Sequence, residues 1–329
     1  MSAAKLSPGC GYARAVDRVL VLGVPRGGTT WVAEAMAHCR GAVYVHEPDG
    51  VHEPFAFHAR RADHLEHYSI LHAGDRAPEY ERLWDGVFAG GRRPGSIRDV
   101  VSRRAYRRVT SEQKNRARAG GRAPLSLMIA DRFAVPRQAD PAHGTVVAKS
   151  VNAALAAEWL FDRWHPRVLV VRRDVRNVLA SWLAIGFGGP RQPVLAGMVD
   201  EARQRWGVTL PVSDDAHERA AVACTVMMLA LYEGVRDHDE WRVVDHEAAC
   251  LDPVARLRDA AISIGLEWTS AAEEFVVESD RPGTGYSTQR VAGDLPDQWK
   301  SRLDDEHVAL IERTLERVPA ALWEVPARR

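Results

Sequence analysis

Short apolar segments rich in β-branched residues alternate along this chain with longer segments of helical periodicity. Strands are predicted at residues 19–23, 42–45, 145–148, 168–171 and 242–244. Helices are predicted at residues 30–39, 153–164, 175–183 and 253–264, with a longer helix from about 215 to 236. Strands that alternate with helices are typical of parallel βαβ units. The pattern therefore predicts an α/β fold of three layers, with a central, mostly parallel sheet flanked by helices.

The longest interval between predicted strands separates the second strand from the third. Residues from about 50 to 140 form this insertion, whereas the other connections are shorter. No internal repeat or low-complexity tract divides the 329 residues. We expect a single domain over residues 1–329 that carries one large insertion.

Charge is balanced overall but not locally. The 44 basic and 44 acidic side chains cancel, so bulk charge predicts no partner and no nucleic acid. Residues 92–122 nevertheless carry eleven basic side chains against two acidic ones, and residues 200–280 carry eighteen acidic against seven basic. A solvated helix and loop is favoured for the basic segment. Contact with an anionic acceptor is the alternative.

The cysteines and the apolar runs indicate the cellular setting. Cys10, Cys39, Cys224 and Cys250 are scattered, with no CxxC pair and no histidine at metal-ligand spacing. This predicts neither a disulfide framework nor a metal site, and it suits a reducing compartment. The chain starts without the apolar stretch of a signal peptide, and its longest apolar run, residues 220–232, is too short to span a bilayer. We expect a cytoplasmic protein without a membrane span.

A glycine-rich segment follows the first predicted strand and opens the first predicted helix. It reads Gly23-Val-Pro-Arg-Gly-Gly-Thr-Thr-Trp31. Such a turn points backbone N–H groups and the positive end of the helix dipole at an anion, which predicts a phosphate-binding loop. Thr29 stands where a Walker loop has the lysine that reaches the β- and γ-phosphates, so the sequence disfavours Mg-ATP chemistry. The cation of this loop is Arg26, whose planar fork suits a tetrahedral anion.

A second candidate anion site follows the fourth strand. The segment Arg173-Asp-Val-Arg-Asn-Val-Leu-Ala-Ser181 places an arginine at the carboxyl end of that strand and a serine two helical turns later. Open α/β sheets bind ligands at this edge. Arg173 and Ser181 are therefore predicted to reach one phosphate.

Together the two segments resemble the sulfotransferases that use 3′-phosphoadenosine 5′-phosphosulfate (PAPS). PRGGTTW is similar to the family's 5′-phosphosulfate loop, and RDVRNVLAS to its 3′-phosphate motif, usually RDPRDVLAS, with Val175 in place of the proline. HEAACLDPVARLRDAAISIGL, at residues 246–266, resembles the family's YEDLLxDPxxxLxxLxxFLGL more loosely. The resemblance implies a P-loop-containing fold and a transfer reaction of EC 2.8.2 type that needs no metal.

The resemblance also implies roles for individual residues. The 5′-phosphosulfate would be bound by the loop residues Arg26, Gly27, Gly28, Thr29 and Thr30. Arg173 and Ser181 would bind the 3′-phosphate, and Trp31 would stack near the adenine, although a core-packing tryptophan is the alternative. Arg290 lies in a segment that faintly resembles the family's closing loop, within a C-terminal closing segment of about residues 281–329.

A base and a further cation complete the predicted chemistry. Family members that act on phenols carry a histidine base just after a strand-borne lysine, but Lys149 is followed by Ser-Val-Asn. The second strand ends in His-Glu-Pro, and Glu47 there resembles the base of the carbohydrate and bacterial branches. His46, His52 and Glu53 compete for this role. Because forty of the 44 basic residues are arginine, Lys149 stands out as a compact cation for the bridging oxygen of the donor.

The predicted reaction is an in-line displacement in which Glu47 deprotonates the acceptor while Arg26 and Lys149 stabilise the sulfuryl group and the departing bisphosphate. The HEPDGVHEPFAFHAR segment resembles sulfotransferases of actinobacterial type, which suggests a small-molecule, carbohydrate or lipid hydroxyl from bacterial secondary metabolism. An ATP-dependent P-loop kinase and a non-catalytic nucleotide or polyanion binder are the alternatives. The sequence leaves the acceptor and the oligomeric state open.

Overall fold

The computed structural model describes residues 17–88, 96–118, 120–136, 144–186, 195–281, 293 and 295–326. Its five strands are β1 Arg18–Leu22, β2 Ala42–His46, β3 Thr145–Ser150, β4 Arg167–Arg172 and β5 Arg242–Asp245. All five pair in parallel, in the order β2-β3-β1-β4-β5. The predicted parallel α/β sheet is confirmed, and each predicted strand lies within two residues of an observed one.

The helices surround this sheet. The structure contains α1 Thr29–Ala37, α2 Pro54–Ala62, α3 Pro78–Phe88, α4 Ile97–Tyr106, α5 Ser111–Arg118, α6 Leu125–Phe133, α7 Ala157–Trp164, α8 Val175–Ala184, α9 Leu195–Trp206, α10 Ala216–Asp237, α11 His246–Leu251, α12 Pro253–Ser263, α13 Ser270–Ser279, α14 Asp305–Leu315 and α15 Ala320–Trp323. Short 3-10 turns lie at Ala154–Ala156 and Gln298–Ser301. The first of them opens the predicted helix 153–164, which is regular only from Ala157 onward.

Alternation along the strands builds two cores. In β1, Leu20 and Leu22 face a core shared with α3, α7, α8 and α10. Val19 and Val21 face the other core, which is formed with α1, α12 and α13. Because the strands are covered on both faces, they read as continuous apolar runs. Because one core lies on each face of the sheet, the fold has three layers, with helices on both sides of the sheet.

The insertion between β2 and β3 is helical. Helices α4 and α6 pack against each other, and together with α2 and α5 they enclose a small separate core of Phe57, Tyr106 and Leu127. The basic segment 92–122 contains α4 and α5, as the solvated-helix interpretation expects, but Ala105 and Tyr106 turn one face of α4 inward. The insertion therefore contributes a packed surface near the end of β2.

Strand β3 runs two residues beyond its predicted end. Lys149 lies inside the strand, paired with Val21 of β1 and with His46 of β2. The prediction that Lys149 follows the strand is therefore wrong, since the strand continues through it. A buried ion pair explains its presence there.

Candidate functional site

The site begins at the glycine-rich loop between β1 and α1. The N–H of Gly27 donates to the carbonyl of Val24 at 2.9 Å, which closes a tight turn. Gly28 precedes α1 with a φ of 86°, and neither a capping side chain nor an acidic residue occupies the first turn of the helix. The first N–H groups of a helix have no partner within the helix. This turn of backbone can therefore receive an anion.

The loop is packed tightly from behind by a histidine that the sequence analysis did not single out. A Cβ at Gly28 would overlap the ring of His246, which is buried at the start of α11. Burial lowers the pKa of His246 well below its usual range, and the charge of Arg173 acts in the same direction. A neutral imidazole thus supports the loop. No sequence motif predicts this contact, because Gly28 and His246 lie far apart along the chain.

Gly28→Ala tests this packing, and Gly74→Ala is its matched control. Both glycines have a left-handed backbone, with φ of 86° and 88°, but Gly74 has no atom near the added methyl group. We expect Gly74→Ala to lower the free energy of unfolding by about 1 kcal/mol, the cost of the left-handed conformation. Gly28→Ala should lose about 1–3 kcal/mol more through overpacking against His246. Urea unfolding measures both, and equal losses would contradict the contact.

Arg26, Arg173 and Ser181 lie close together, although the contact of Ser181 is with Arg26 and not with Arg173. Arg26 Nε donates to Ser181 Oγ at 2.9 Å. Arg173 Nη1 donates to the carbonyl oxygen of Arg26 at 2.6 Å. Arg26 itself has a φ of 62°, a conformation uncommon outside glycine. Arg26, which follows β1, is therefore held against Ser181 of α8, and Arg173, which follows β4, is held against the backbone of Arg26.

Arg173 is the most constrained of these groups. Its side chain is 9% exposed, and burial lowers its pKa, although an arginine stays charged at neutral pH. Glu247 lies 3.9 Å from Arg173 Nε. Among the described residues, that Nε has no hydrogen-bond partner. A buried N–H without a partner is costly, so an anionic ligand would satisfy it.

The topology of the sheet places these groups where ligands bind. From β1 the chain passes to β2 on one side of the sheet, whereas from β4 it passes to β5 on the other side. The adjacent ends of β1 and β4 thus form a topological switch point, where open α/β sheets leave a crevice. The glycine loop follows β1, and Arg173 follows β4. Both candidate anion sites open on the same crevice.

Glu47 and Lys149 form an ion pair at the same edge of the sheet. Lys149 Nζ, on a side chain only 2% exposed, contacts Glu47 Oε1. The backbone N–H of Glu47 donates to the carbonyl of Lys149 at 2.8 Å, and Glu47 has a left-handed φ of 39°. Non-glycine residues in this conformation cost about 1 kcal/mol or more and cluster at functional sites. The geometry holds this carboxylate beside a buried ammonium.

A buried aspartate anchors the turn that carries Glu47. Asp49 is fully buried and accepts hydrogen bonds from Ser150 Oγ at 2.7 Å and from Tyr80 Oη at 3.0 Å. Burial raises the pKa of Asp49, and the charge of Arg60 opposes this most strongly. The sequence analysis missed Asp49 and Ser150, although each lies within two residues of a candidate. Their polarity beside buried strand ends was the available signal.

The other candidate bases contact different partners. Glu53 is bound by Arg103, with a distance of 2.8 Å from Nη2 to Oε2. His46 is exposed, and its Nδ1 lies 2.9 Å from the hydroxyl of Tyr44. His52 is also exposed. Of the four candidates, Glu47 alone is paired with Lys149 in the described structure.

Trp31 is placed less centrally than the other predicted residues of the glycine loop. Trp31 is half-buried, its Nε1 donates to Ser279 Oγ at 2.7 Å, and its ring meets the edge of His246 with 6.0 Å between centroids. It contacts the second core as well as the site. Arg290 lies outside the described residues.

Strand spacing gives the scale of the site. Neighbouring strands lie about 4.8 Å apart, so β3, which carries Lys149, lies about 5 Å to one side of β1, and β2 lies about 10 Å away on that side. Strand β4, which Arg173 follows, lies about 5 Å to the other side of β1. One extended ligand can therefore span the strand ends that carry the four groups.

Comparisons with known proteins complete these observations. No family model matches the chain, and no curated protein matches it. Among solved structures it is similar to the sulfotransferase domain from the curacin biosynthetic pathway, at 11% identity over 93% of this chain and 100% of that one, with a TM-score of 0.46. It is also similar to the sulfotransferase domain of the Synechococcus PCC 7002 olefin synthase, at 12% identity over 94% and 98%, with a TM-score of 0.41.

A third similar structure is the sulfotransferase STF1 from Mycobacterium tuberculosis H37Rv. Its identity is 14% over 92% of this chain and 76% of that one, with a TM-score of 0.40. Likenesses this distant carry no argument about activity. The function has to be inferred from the residues of the site.

None of the helices that the described residues form is long and apolar enough to cross a bilayer. In the same ranges, no three His, Cys, Asp or Glu side chains converge as a metal site would require.

Proposed function

We propose that the chain transfers a sulfuryl group from PAPS to a hydroxyl of a small-molecule, carbohydrate or lipid acceptor. The observation that carries the proposal is the arrangement of two cationic anion sites at the β1–β4 crevice with a carboxylate–ammonium pair beside them. A donor with two separate anionic groups matches this arrangement. ATP has one phosphate chain and no 3′-phosphate to occupy the second site.

The residues present fit such a donor. The Nε of Arg173, which makes no hydrogen bond within the described ranges, and the hydroxyl of Ser181 would hold the 3′-phosphate. The loop from Arg26 through Gly27, Gly28, Thr29 and Thr30 would hold the 5′-phosphosulfate, and Trp31 would lie near the adenine. Since the Arg26 side chain contacts Ser181, its guanidinium bridges the two anion sites. When bound, the donor supplies an activated sulfuryl group.

The chain's own residues would then carry out the transfer. The acceptor oxygen forms a bond to sulfur as the bond between sulfur and the bridging phosphate oxygen breaks, and the departing bisphosphate keeps that electron pair. The acceptor proton passes to Glu47. Lys149 holds Oε1 of Glu47, which leaves Oε2 to accept the proton. Arg26 and Lys149 stabilise the negative charge on the sulfuryl and leaving oxygens.

A kinase is not favoured by the same residues. Thr29 stands where a Walker lysine would be, and it is buried with its methyl group turned toward Gly23. An aspartate does close β5, but Arg172 binds Asp245 at 2.7 Å and the N–H of Ala248 donates to it at 2.9 Å. That carboxylate is occupied. A passive nucleotide or polyanion binder would leave the Glu47–Lys149 pair without a use.

Ligand-induced thermal stabilisation tests the donor assignment. Adenosine 3′,5′-bisphosphate, without metal, should stabilise the fold by about 2.7 kcal/mol at a hundredfold excess over its Kd. Mg-ATP at the same concentration should produce no comparable shift. Stabilisation by Mg-ATP and not by the bisphosphate would overturn the proposal and favour the kinase.

A further inference from the structure

A second concave surface lies on the insertion, away from the β1–β4 crevice. A cavity of about 440 Å³ is lined by His52, Glu53, Arg103, Tyr106, Arg107 and Lys114. The first two residues belong to the turn that follows Glu47. Of the others, Arg103 and Tyr106 lie in α4, Arg107 directly follows it, and Lys114 lies in α5. The cavity therefore adjoins the end of β2, on the side of the sheet opposite to β4.

Positive charge in this cavity exceeds the negative charge. Arg103 is neutralised, since its Nη2 donates to Glu53 at 2.8 Å and its Nε to Asp99 at 2.9 Å. Arg107 and Lys114 make no ion pair with any carboxylate of the described ranges. Glu53, the acidic member of the lining, is already bound. Two cations are left facing the cavity.

Lys114 is held in an unusual position. Its ammonium lies 3.6 Å from the centroid of the Tyr106 ring, and the side chain is half-buried. Burial and the charge of Arg118 both lower its pKa. A cation–π contact offsets only part of the cost of removing an ammonium from water. An anion beside Lys114 would offset the remainder.

Further cations lie behind the cavity. Arg60 is 2% exposed and, in the described ranges, its Nε and Nη2 have no hydrogen-bond partner. The Arg118 guanidinium lies 4.9 Å from the centroid of the Phe57 ring, and burial and Arg60 lower its pKa, with Tyr106 and Glu66 offsetting them only in part. Both guanidinium groups act on the Tyr106 hydroxyl, and the carboxylates of Asp131 and Glu53 act on it in the opposite direction.

The cavity is within reach of the predicted base. The N–H of Gly50 donates to Glu47 O at 2.9 Å, and the N–H of Glu53 donates to Gly50 O at 3.1 Å. Each of these turns keeps its first and fourth Cα atoms within about 7 Å, so Glu47 and Glu53 lie within about 14 Å of each other. The hydroxyl of Tyr106 holds the turn to α4 through Val51 O at 2.9 Å. A small molecule can bridge this distance.

We propose that this cavity binds an oxyanion group of the acceptor, so that the acceptor is a hydroxyl compound that already carries a carboxylate, phosphate or sulfate. The proposal rests on the sulfotransferase function proposed above. Arg107 and Lys114 contact the anion, while Glu47 faces the hydroxyl at the other end. The basic insertion is then a device for acceptor selection, and the cavity volume of about 440 Å³ suits a small ligand.

Ligand-observed NMR with simple aromatic probes tests the cavity. Phenyl phosphate, phenyl sulfate and benzoate represent the three oxyanions, and benzyl alcohol is the neutral probe. Lys114→Gln and Arg107→Gln should each weaken binding of the preferred anion about tenfold. Lys114→Arg should retain most of it. Arg104→Gln, an exposed arginine of the same helix outside the lining, should bind as the wild type does.

Several outcomes would overturn the proposal. One is that wild type and both cavity variants bind the anions equally well. Another is that the wild type does not bind them, and a third is that benzyl alcohol binds as tightly as the anions do. If the anionic probe occupied the glycine loop instead, Arg26→Gln would weaken its binding and Lys114→Gln would not. If the cavity variants behave as expected but adenosine 3′,5′-bisphosphate fails to stabilise the protein, the cavity stands as an anion site and its assignment to an acceptor is wrong.

Discussion

Glu47→Gln should lower the rate of sulfuryl transfer by about 10²–10⁴, the usual contribution of a general base. The amide keeps the size of the side chain and a carbonyl oxygen that accepts a hydrogen bond. It cannot take up the proton of the attacking hydroxyl. Binding of adenosine 3′,5′-bisphosphate should remain, because the crevice between β1 and β4 does not include Glu47. Transfer assays and thermal shifts on the same preparation measure the two effects separately.

The change also alters the charge balance around Lys149. With Glu47 neutral, the ammonium of a side chain 2% exposed loses its carboxylate partner, and breaking a buried pair in this way costs up to about 3–5 kcal/mol. The variant should therefore unfold at lower urea concentration than the wild type. His46→Gln is the matched control, since His46 precedes Glu47 but is exposed. A transfer rate preserved in Glu47→Gln and lost in His46→Gln would move the base to the histidine.

Arg173→Gln should weaken the binding of adenosine 3′,5′-bisphosphate by about 10- to 100-fold, the range expected for a lost hydrogen bond to a charged group. Adenosine 5′-monophosphate lacks the 3′-phosphate, so its binding should change little. This difference between the two nucleotides separates a lost phosphate contact from a damaged fold. Calorimetric titration of both nucleotides provides the comparison.

The control for this variant is Arg167→Gln. Arg167 lies at the opposite end of β4, where its Nη1 donates to Ile264 O at 3.0 Å. The Arg167→Gln substitution also removes one arginine charge, but at the end of β4 far from the crevice. Both nucleotides should therefore bind as they do to the wild type. Equal weakening of the two nucleotides by Arg173→Gln would refute the 3′-phosphate role.

The sheet could be predicted because its three central strands, β3, β1 and β4, are buried on both faces. The run VLVL of β1 divides its side chains between two cores, and such runs are short, apolar and β-branched. Among the insertion helices, α5 has an almost wholly polar sequence with one buried residue, Ala117. Its position depends on packing against distant aromatic rings, which leaves little periodic signal.

The site was only partly predictable for similar reasons. The positions of Arg26, Arg173 and Ser181 follow from strand ends and helical spacing. The contact of Gly28 with His246, the left-handed backbone at Glu47 and the burial of Lys149 depend on tertiary packing that no local pattern encodes. Arg107 and Lys114 are visible in the sequence as members of a basic segment. That they line one cavity could not be predicted, because it depends on how the insertion packs.

Incubation with sulfur-labelled PAPS tests the proposed activity most directly. Extracts of the source organism supply candidate acceptors, and mass spectrometry follows the label. We expect wild-type protein to place the labelled sulfuryl group on at least one hydroxyl compound, with an equal amount of adenosine 3′,5′-bisphosphate released, and Glu47→Gln to leave the donor intact. The same labelled product from both proteins, or a donor that wild type leaves intact while it transfers phosphate from ATP, would contradict the account.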